Sequence, residues 1–93
     1  MNKYELIRHL AGETGFSEQE VRLVVDCLLN ATIDTLIKGQ SLTFHNFGSL
    51  RAVWQVERPG RNLRTGEPWL IPARFTVKFR PGKALLEALN RDK

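Results

Sequence analysis

The 93-residue chain has one cysteine, and Cys27 alone cannot form a disulfide within it. It lies in an apolar helical stretch and is expected to be a reduced core residue. No run approaches the ~18 apolar residues of a membrane-spanning helix, and the N-terminus MNKYELIRH lacks the apolar core of a signal peptide. The expectation is a soluble, cytoplasmic chain with no membrane partner. His9 and His45 have no second ligand at metal spacing, so no metal site is expected. Acids are scarce in the second half, where Glu57 and Glu67 stand alone between Arg51 and Lys83. Phosphodiester hydrolysis needs clustered carboxylates to hold Mg²⁺, which argues against a nuclease. GRNLRTG spaces two glycines six apart, but no Lys-Ser/Thr follows, so it is no nucleotide loop. Neither an enzyme nor a cofactor is expected.

The basic residues are plentiful and unevenly placed. The same segment from Arg51 to Lys83 holds eight of them (Arg51, Arg58, Arg61, Arg64, Arg74, Lys78, Arg80, Lys83) against its two acids, a net of 8 − 2 = +6. The formal charge of the whole chain is +4, so the remainder is mildly acidic. A basic segment joined to an acidic body is the electrostatic footprint of a polyanion binder. A chain this short forms one domain, residues 1–93, and buries a modest fraction of its surface, so help from a partner chain is expected.

In residues 3–14, Leu6, Ile7, Leu10 and Ala11 make one apolar helical stripe, with Gly12 and Gly15 expected to close it. FSEQEV then starts a second helix. Ser17 and Glu20 fit a capping box, and Phe16 can staple to Val21. Val21, Val24, Val25, Leu28, Leu29, Ile33, Leu36 and Ile37 follow helical spacing until Lys38 and Gly39 supply a basic last turn and a glycine stop. That stripe is too broad for one short neighbouring helix to cover.

From Ser41 the period becomes two. Leu42 and Phe44 alternate with polar residues, as do Leu50, Ala52, Trp54 and Val56 after a turn at Asn46-Phe47-Gly48. Phe75, Val77 and Phe79 form a third alternation, with Arg74, Thr76, Lys78 and Arg80 on its other face. The expected fold is α+β: two N-terminal helices, a three-stranded antiparallel sheet with a cationic outer face, and a short C-terminal helix in KALLEALN. Between the second and third strands, Pro59, Pro68 and Pro72 rule out a central strand but suit a protruding two-stranded ribbon, an arm over about 55–74 with its turn at Asn62–Gly66.

The motifs NFGSL, GRNLRTGE, IPA and FRPGKAL, in this order of elements, resemble the HU/IHF family of bacterial histone-like DNA-bending proteins across essentially the whole chain. The resemblance implies an intertwined dimer whose arms wrap double-stranded DNA in the minor groove, bending and compacting it largely without sequence specificity, in the bacterial nucleoid. By the same resemblance Arg58, Arg61, Asn62, Leu63, Arg64 and Thr65 contact DNA from the arm tip, while Lys3, Arg74, Lys78, Arg80 and Lys83 hold backbone phosphates. Phe44, Phe47, Leu50 and Phe79 match the apolar core between subunits.

The chain departs from the family pattern in three respects. Leu63 stands where the family has proline after GRN; it either pushes between base pairs as an apolar wedge or folds back on Trp69 or Ile71. Val53 and Gln55 lack cations that many relatives carry. Trp69 and Leu70 bring apolar bulk to the far limb, either to pack across the ribbon or to touch DNA or another protein. Whether the partner is an identical chain or a related subunit stays open, as does a site-specific role. An RNA-binding module is disfavoured because the aromatics alternate with the arginines and are expected to face the core. A protein-interaction module would use Leu63, Trp69, Leu70 and Ile71.

Overall fold

The computed structural model describes residues 1–61 and 64–91. Along the chain run α1 (Lys3–Thr14), α2 (Glu18–Ile37), β1 (Leu42–Phe44), β2 (Gly48–Gln55), β3 (Arg58–Arg61), β4 (Pro68–Ile71), β5 (Arg74–Pro81) and α3 (Lys83–Leu89). The chain divides into two compact units, Met1–Asp34 and Thr35–Lys93.

In the first unit both helices begin on side-chain caps. Asn2 is extended, and its Oδ1 accepts from the Glu5 N–H at 2.9 Å, a start signal not identified in the sequence. At α2 the expected capping box is formed reciprocally. Ser17 Oγ accepts from the Glu20 N–H at 3.1 Å, and Glu20 Oε1 accepts from the Ser17 N–H at 3.2 Å. Two of the orphan donors at the helix start are thereby satisfied. Gly12, expected as a stop, lies inside α1; Gly15 alone ends the helix, with φ 80° and its N–H on the Ala11 carbonyl. Thr14 ties the corner, donating to the Leu10 carbonyl at 2.7 Å and accepting from the Phe16 N–H at 3.2 Å.

The end of α2 also differs slightly from expectation. Lys38 falls beyond the last helical residue, and Gly39 at φ 77° closes a Schellman motif. In it Gly39 N–H reaches the Leu36 carbonyl, and Gln40 N–H the Thr35 carbonyl. Two exposed ion pairs, Lys3–Asp26 and Arg8–Glu18, join α1 to α2 and contribute little stability individually.

Burial within one chain is sparse. Among the described residues only Ile7, at 1% exposure, and Val21, at 7%, are buried hydrophobics. Most of the broad α2 stripe, namely Val24, Leu28, Leu29, Ile33 and Ile37, is exposed, Val25 and Leu36 are half-buried, and Cys27 is exposed, contrary to its expected place in a core. Between α1 and the start of α2 an apolar hollow of about 300 Å³ is lined by Leu10, Phe16, Val21, Val24 and Val25. Phe16 and Val21, the two residues of the expected staple, share its wall.

In the second unit β1, β2 and β5 form one antiparallel sheet in that order, and β3 and β4 form a two-stranded ribbon. The arm's limbs are not continuous with the strands of the sheet. Each is a four-residue strand set off by a break at Val56-Glu57 and Pro72-Ala73, where Pro72 has no N–H to donate. The break does not shift the register. Gln55 faces Arg74, and three residues on along each limb Arg58 faces Ile71.

The sheet's root is fixed by close backbone approach. A Cβ on Gly48 would sit 2.5 Å from the Phe79 ring and 2.7 Å from the Arg80 carbonyl oxygen. One on Gly82 would meet the backbone of Asn46 at 2.8 Å. Only glycine fits at either place. The Gly82 N–H donates to the Phe47 carbonyl at 2.7 Å and the Leu85 N–H to the Asn46 carbonyl at 3.3 Å, so the NFG turn is bonded to the first turn of α3. This contact explains why NFGSL and FRPGKAL occur together.

Two results are expected. Ser17→Ala should lower thermal stability by ~1 kcal/mol through loss of the cap, and an unchanged melting temperature would contradict the capping role. The second concerns acid. Ser17, through its hydroxyl first and its N–H second, holds the Glu20 carboxyl below the usual carboxylate range. A folded pKa below the unfolded one stabilises at neutral pH, and that contribution is lost as pH falls through the folded value. Glu20→Gln should therefore be less stable than the parent at pH 7, with the gap closing toward pH 3. A gap that persists in acid would contradict the charged cap.

Candidate nucleic-acid interface

Successive residues of a strand point to opposite faces, so the β2–β5 register determines which side chains are neighbours. On one face lie the pairs Ser49–Arg80, Arg51–Lys78, Val53–Thr76 and Gln55–Arg74. On the other lie Leu50–Phe79, Ala52–Val77 and Trp54–Phe75. The first face therefore carries four cations and no acid.

Arg51 and Lys78 are directly opposed, an arrangement that costs rather than contributes stability. Among the described residues no ion pair engages Arg51, Arg58, Arg74, Lys78 or Arg80, and all five are exposed. A surface that holds like charges side by side without counter-charges favours an anionic ligand. Arg51 was counted in the basic segment but not placed among the candidate DNA contacts. The signal was present, since it sits out of phase with Leu50 and Ala52 as Lys78 does with Val77 and Phe79.

The other expected contacts lie elsewhere on the chain. Lys83 opens α3 three residues after Arg80 and makes a loose, exposed pair with Glu87 at 3.9 Å. Arg58 stands on β3 opposite Ile71, and the backbone of Arg61 pairs with Pro68. Arg64 and Thr65 form the turn after them, where Thr65 Oγ1 accepts from the Glu67 N–H at 3.3 Å. Asn62 and Leu63 lie outside the described residues. Lys3, in the helical unit, is engaged by the Asp26 carboxylate, and any phosphate contact there must displace that partner. Among the described residues no group of three or more His, Cys, Asp or Glu side chains could hold a metal, and no helix is long and apolar enough to cross a membrane.

The opposite face is aromatic. Phe47 stands between Phe44 and Phe79, with ring centroids 6.3 and 5.8 Å away, and Trp54 meets Phe75 edge-on at 4.9 Å. Leu50 is half-buried, whereas Phe44, Phe47 and Phe79 are exposed in the single chain and Phe75 is 70% exposed. The aromatics expected to face a core are thus only partly covered by their own chain.

Residues 1–90 match the family described as bacterial DNA-binding protein. The chain is 40% identical to the DNA-binding protein HU of Xylella fastidiosa over 90 residues, covering 97% of this chain and 96% of that protein. It is 43% identical to DNA-binding protein HU-beta of Neisseria meningitidis over 89 residues, 96% of this chain and all of the relative. Among solved structures, HU in an Anabaena HU–DNA cocrystal superposes with a TM-score of 0.84 at 30% identity, covering 97% of this chain and 98% of that one. HU from Thermotoga maritima does so at 0.69 and 29%, over 97% and 100% of the two chains. With its NFG turn bonded to the FRPG helix start and a cationic strand pair continuing in register into a ribbon, the chain belongs to the HU/IHF family of bacterial DNA-binding proteins.

Proposed function

We propose that this chain is an architectural protein of the bacterial nucleoid that binds and bends duplex DNA as a dimer, with residues 1–93 acting as one DNA-binding domain. The observation that carries the reading is the β2–β5 pleat, which separates four cations with no ion pair among the described residues from an exposed aromatic face. Arg51, Arg74, Lys78 and Arg80, with Lys83 beside them, bind backbone phosphates. Arg58, Arg61, Asn62, Arg64 and Thr65 on the arm enter or border the minor groove, and Lys3 adds a phosphate contact once released from Asp26. Phosphate contacts position a protein but carry no sequence information, so binding is largely indifferent to sequence. The relatives' names and the DNA-bound neighbour support duplex DNA as the partner, and a cytoplasmic, nucleoid location goes with that reading. No catalytic step belongs to this reading.

The dimer rests on exposed apolar surface. Val24, Leu28, Leu29, Ile33 and Ile37 of the α2 stripe are exposed in the single chain, as are Phe44, Phe47 and Phe79. Obligate interfaces bury large apolar surfaces of this kind. With Leu50, the ring face of Phe44, Phe47 and Phe79 is assigned to the core between subunits.

Concentration-dependent melting tests the dimer. The melting temperature should rise with protein concentration, because association stabilises only the folded chain. A folded monomer in sedimentation at micromolar concentration would contradict it.

The cationic face is tested by Arg51→Gln. Binding to any duplex should weaken, and the log–log dependence of affinity on salt, about −0.9 per phosphate neutralised, should flatten by roughly one contact. The same variant should be no less stable than the parent, and more stable by up to ~1 kcal/mol, because the opposition to Lys78 is removed. An unchanged salt slope, or a loss confined to one DNA sequence, would overturn the assignment.

A further inference from the structure

Trp69 is the largest side chain on the ribbon, and its surroundings differ from those of the other tryptophan. Trp54 has Phe75 against it. Trp69 is paired across the ribbon with Gly60, which has no side chain to offer. An aromatic opposite a glycine commonly packs down over the bare backbone, but here another side chain comes nearest. The atoms nearest to where a Gly60 Cβ would be are Ile71 Cδ1 at 2.8 Å and Ile71 Cγ1 at 3.0 Å. Ile71 therefore occupies the space over Gly60, and the indole is left 60% exposed with no ring partner among the described residues. Cross-strand packing, one of the two roles the sequence left open for Trp69, is thus already performed by its neighbour.

The surroundings also indicate what the indole meets. Side-chain direction alternates along β4, so Trp69 and Ile71 lie on one face of the ribbon and Leu70, opposite Pro59, on the other. Among the described residues neither face brings a second ring against Trp69. Charge decides further: from Glu57 to Arg74 the arm carries Arg58, Arg61, Arg64 and Arg74 against Glu57 and Glu67, a net of 4 − 2 = +2. A lone exposed aromatic set among arginines is the composition that binds nucleic-acid bases by stacking. Trp69 also lies one pair in from Arg61–Pro68, the outermost described pair of the ribbon.

We propose that Trp69 is a base-stacking residue, which lays its indole against the face of an unpaired or unstacked base when the arm is on DNA. The proposal rests on the DNA-binding reading above and adds a contact to it. Paired, stacked bases hide their faces, so the indole gains most where a base has already been freed. A stacked base contributes ~1–3 kcal/mol, which at 1.4 kcal/mol per factor of ten is about 5- to 140-fold in affinity.

The test uses two duplexes of the same sequence, one fully paired and one with a single unpaired adenine. Both are measured in a Trp54→Phe background, so that Trp69 is the only indole. The bulged duplex should quench Trp69 fluorescence more strongly than the paired one. Trp69→Ala should weaken binding to the bulged duplex about 5- to 140-fold more than to the paired duplex, and Trp69→Phe should retain most of the difference. Equal loss on both duplexes would overturn stacking in favour of packing against the groove wall or support of the ribbon. No loss on either would overturn any DNA role for Trp69. If the Trp54→Phe and parent proteins bind neither duplex, the DNA-binding reading itself fails; if they bind both and only the Trp69 effect is missing, that reading stands and this inference falls.

Discussion

The register in which β2 meets β5, from Gly48 opposite Pro81 to Gln55 opposite Arg74, sends Arg51, Arg74, Lys78 and Arg80 to one face and Trp54, Phe75, Val77 and Phe79 to the other. A slip of one residue in either strand would move its whole set across, putting aromatics among the cations. The register is held at the root by contacts that admit no side chain, at Gly48 beneath the Phe79 ring and at Gly82 against Asn46. It continues through the break at Val56-Glu57 and Pro72-Ala73 into the ribbon. The cationic face and the aromatic face therefore depend on the same pairing.

The two faces satisfy different requirements. Opposed cations such as Arg51 and Lys78 raise the energy of the free protein and are relieved by an anion. The rings raise it by contact with water and are relieved by an apolar partner. Within one chain local devices do much of the ordering: the Asn2 and Ser17 caps, the Thr14 corner and the Gly39 stop all act over a few residues. Such devices set where helices begin and end but bury almost nothing. With Ile7 and Val21 as the only buried hydrophobics among the described residues, long-range stabilisation must come from surface not yet covered.

Much of this could be read in advance, for physical reasons that also explain the misses. The Ser17–Glu20 box was legible because both halves lie within four residues, and the helix and strand alternations because their periods differ. Asn2 was missed because it precedes the apolar stripe by several positions. Gly12 was misjudged because a lone glycine weakens a helix without having to end it. Cys27 follows helical spacing whether or not anything covers the helix, so its exposure was not legible. Cross-strand neighbours were the hardest to read. That Arg51 opposes Lys78, and that Trp69 opposes Gly60 while Ile71 fills the gap, depends on a pairing offset that periodicity alone does not give. Leu63 lies outside the described residues.

The central claim is that the cationic face of β2–β5 is the DNA surface, and lysine reactivity tests it with few assumptions. Reductive methylation of the folded protein, with and without saturating duplex, reports which amines the ligand covers, and Lys38, just past the end of α2, serves as the comparison. The account predicts that Lys78 is methylated freely in the protein alone and protected when duplex is present, while Lys38 reacts at the same rate in both. Equal reactivity of Lys78 with and without bound duplex would show that DNA lies elsewhere and would contradict the account.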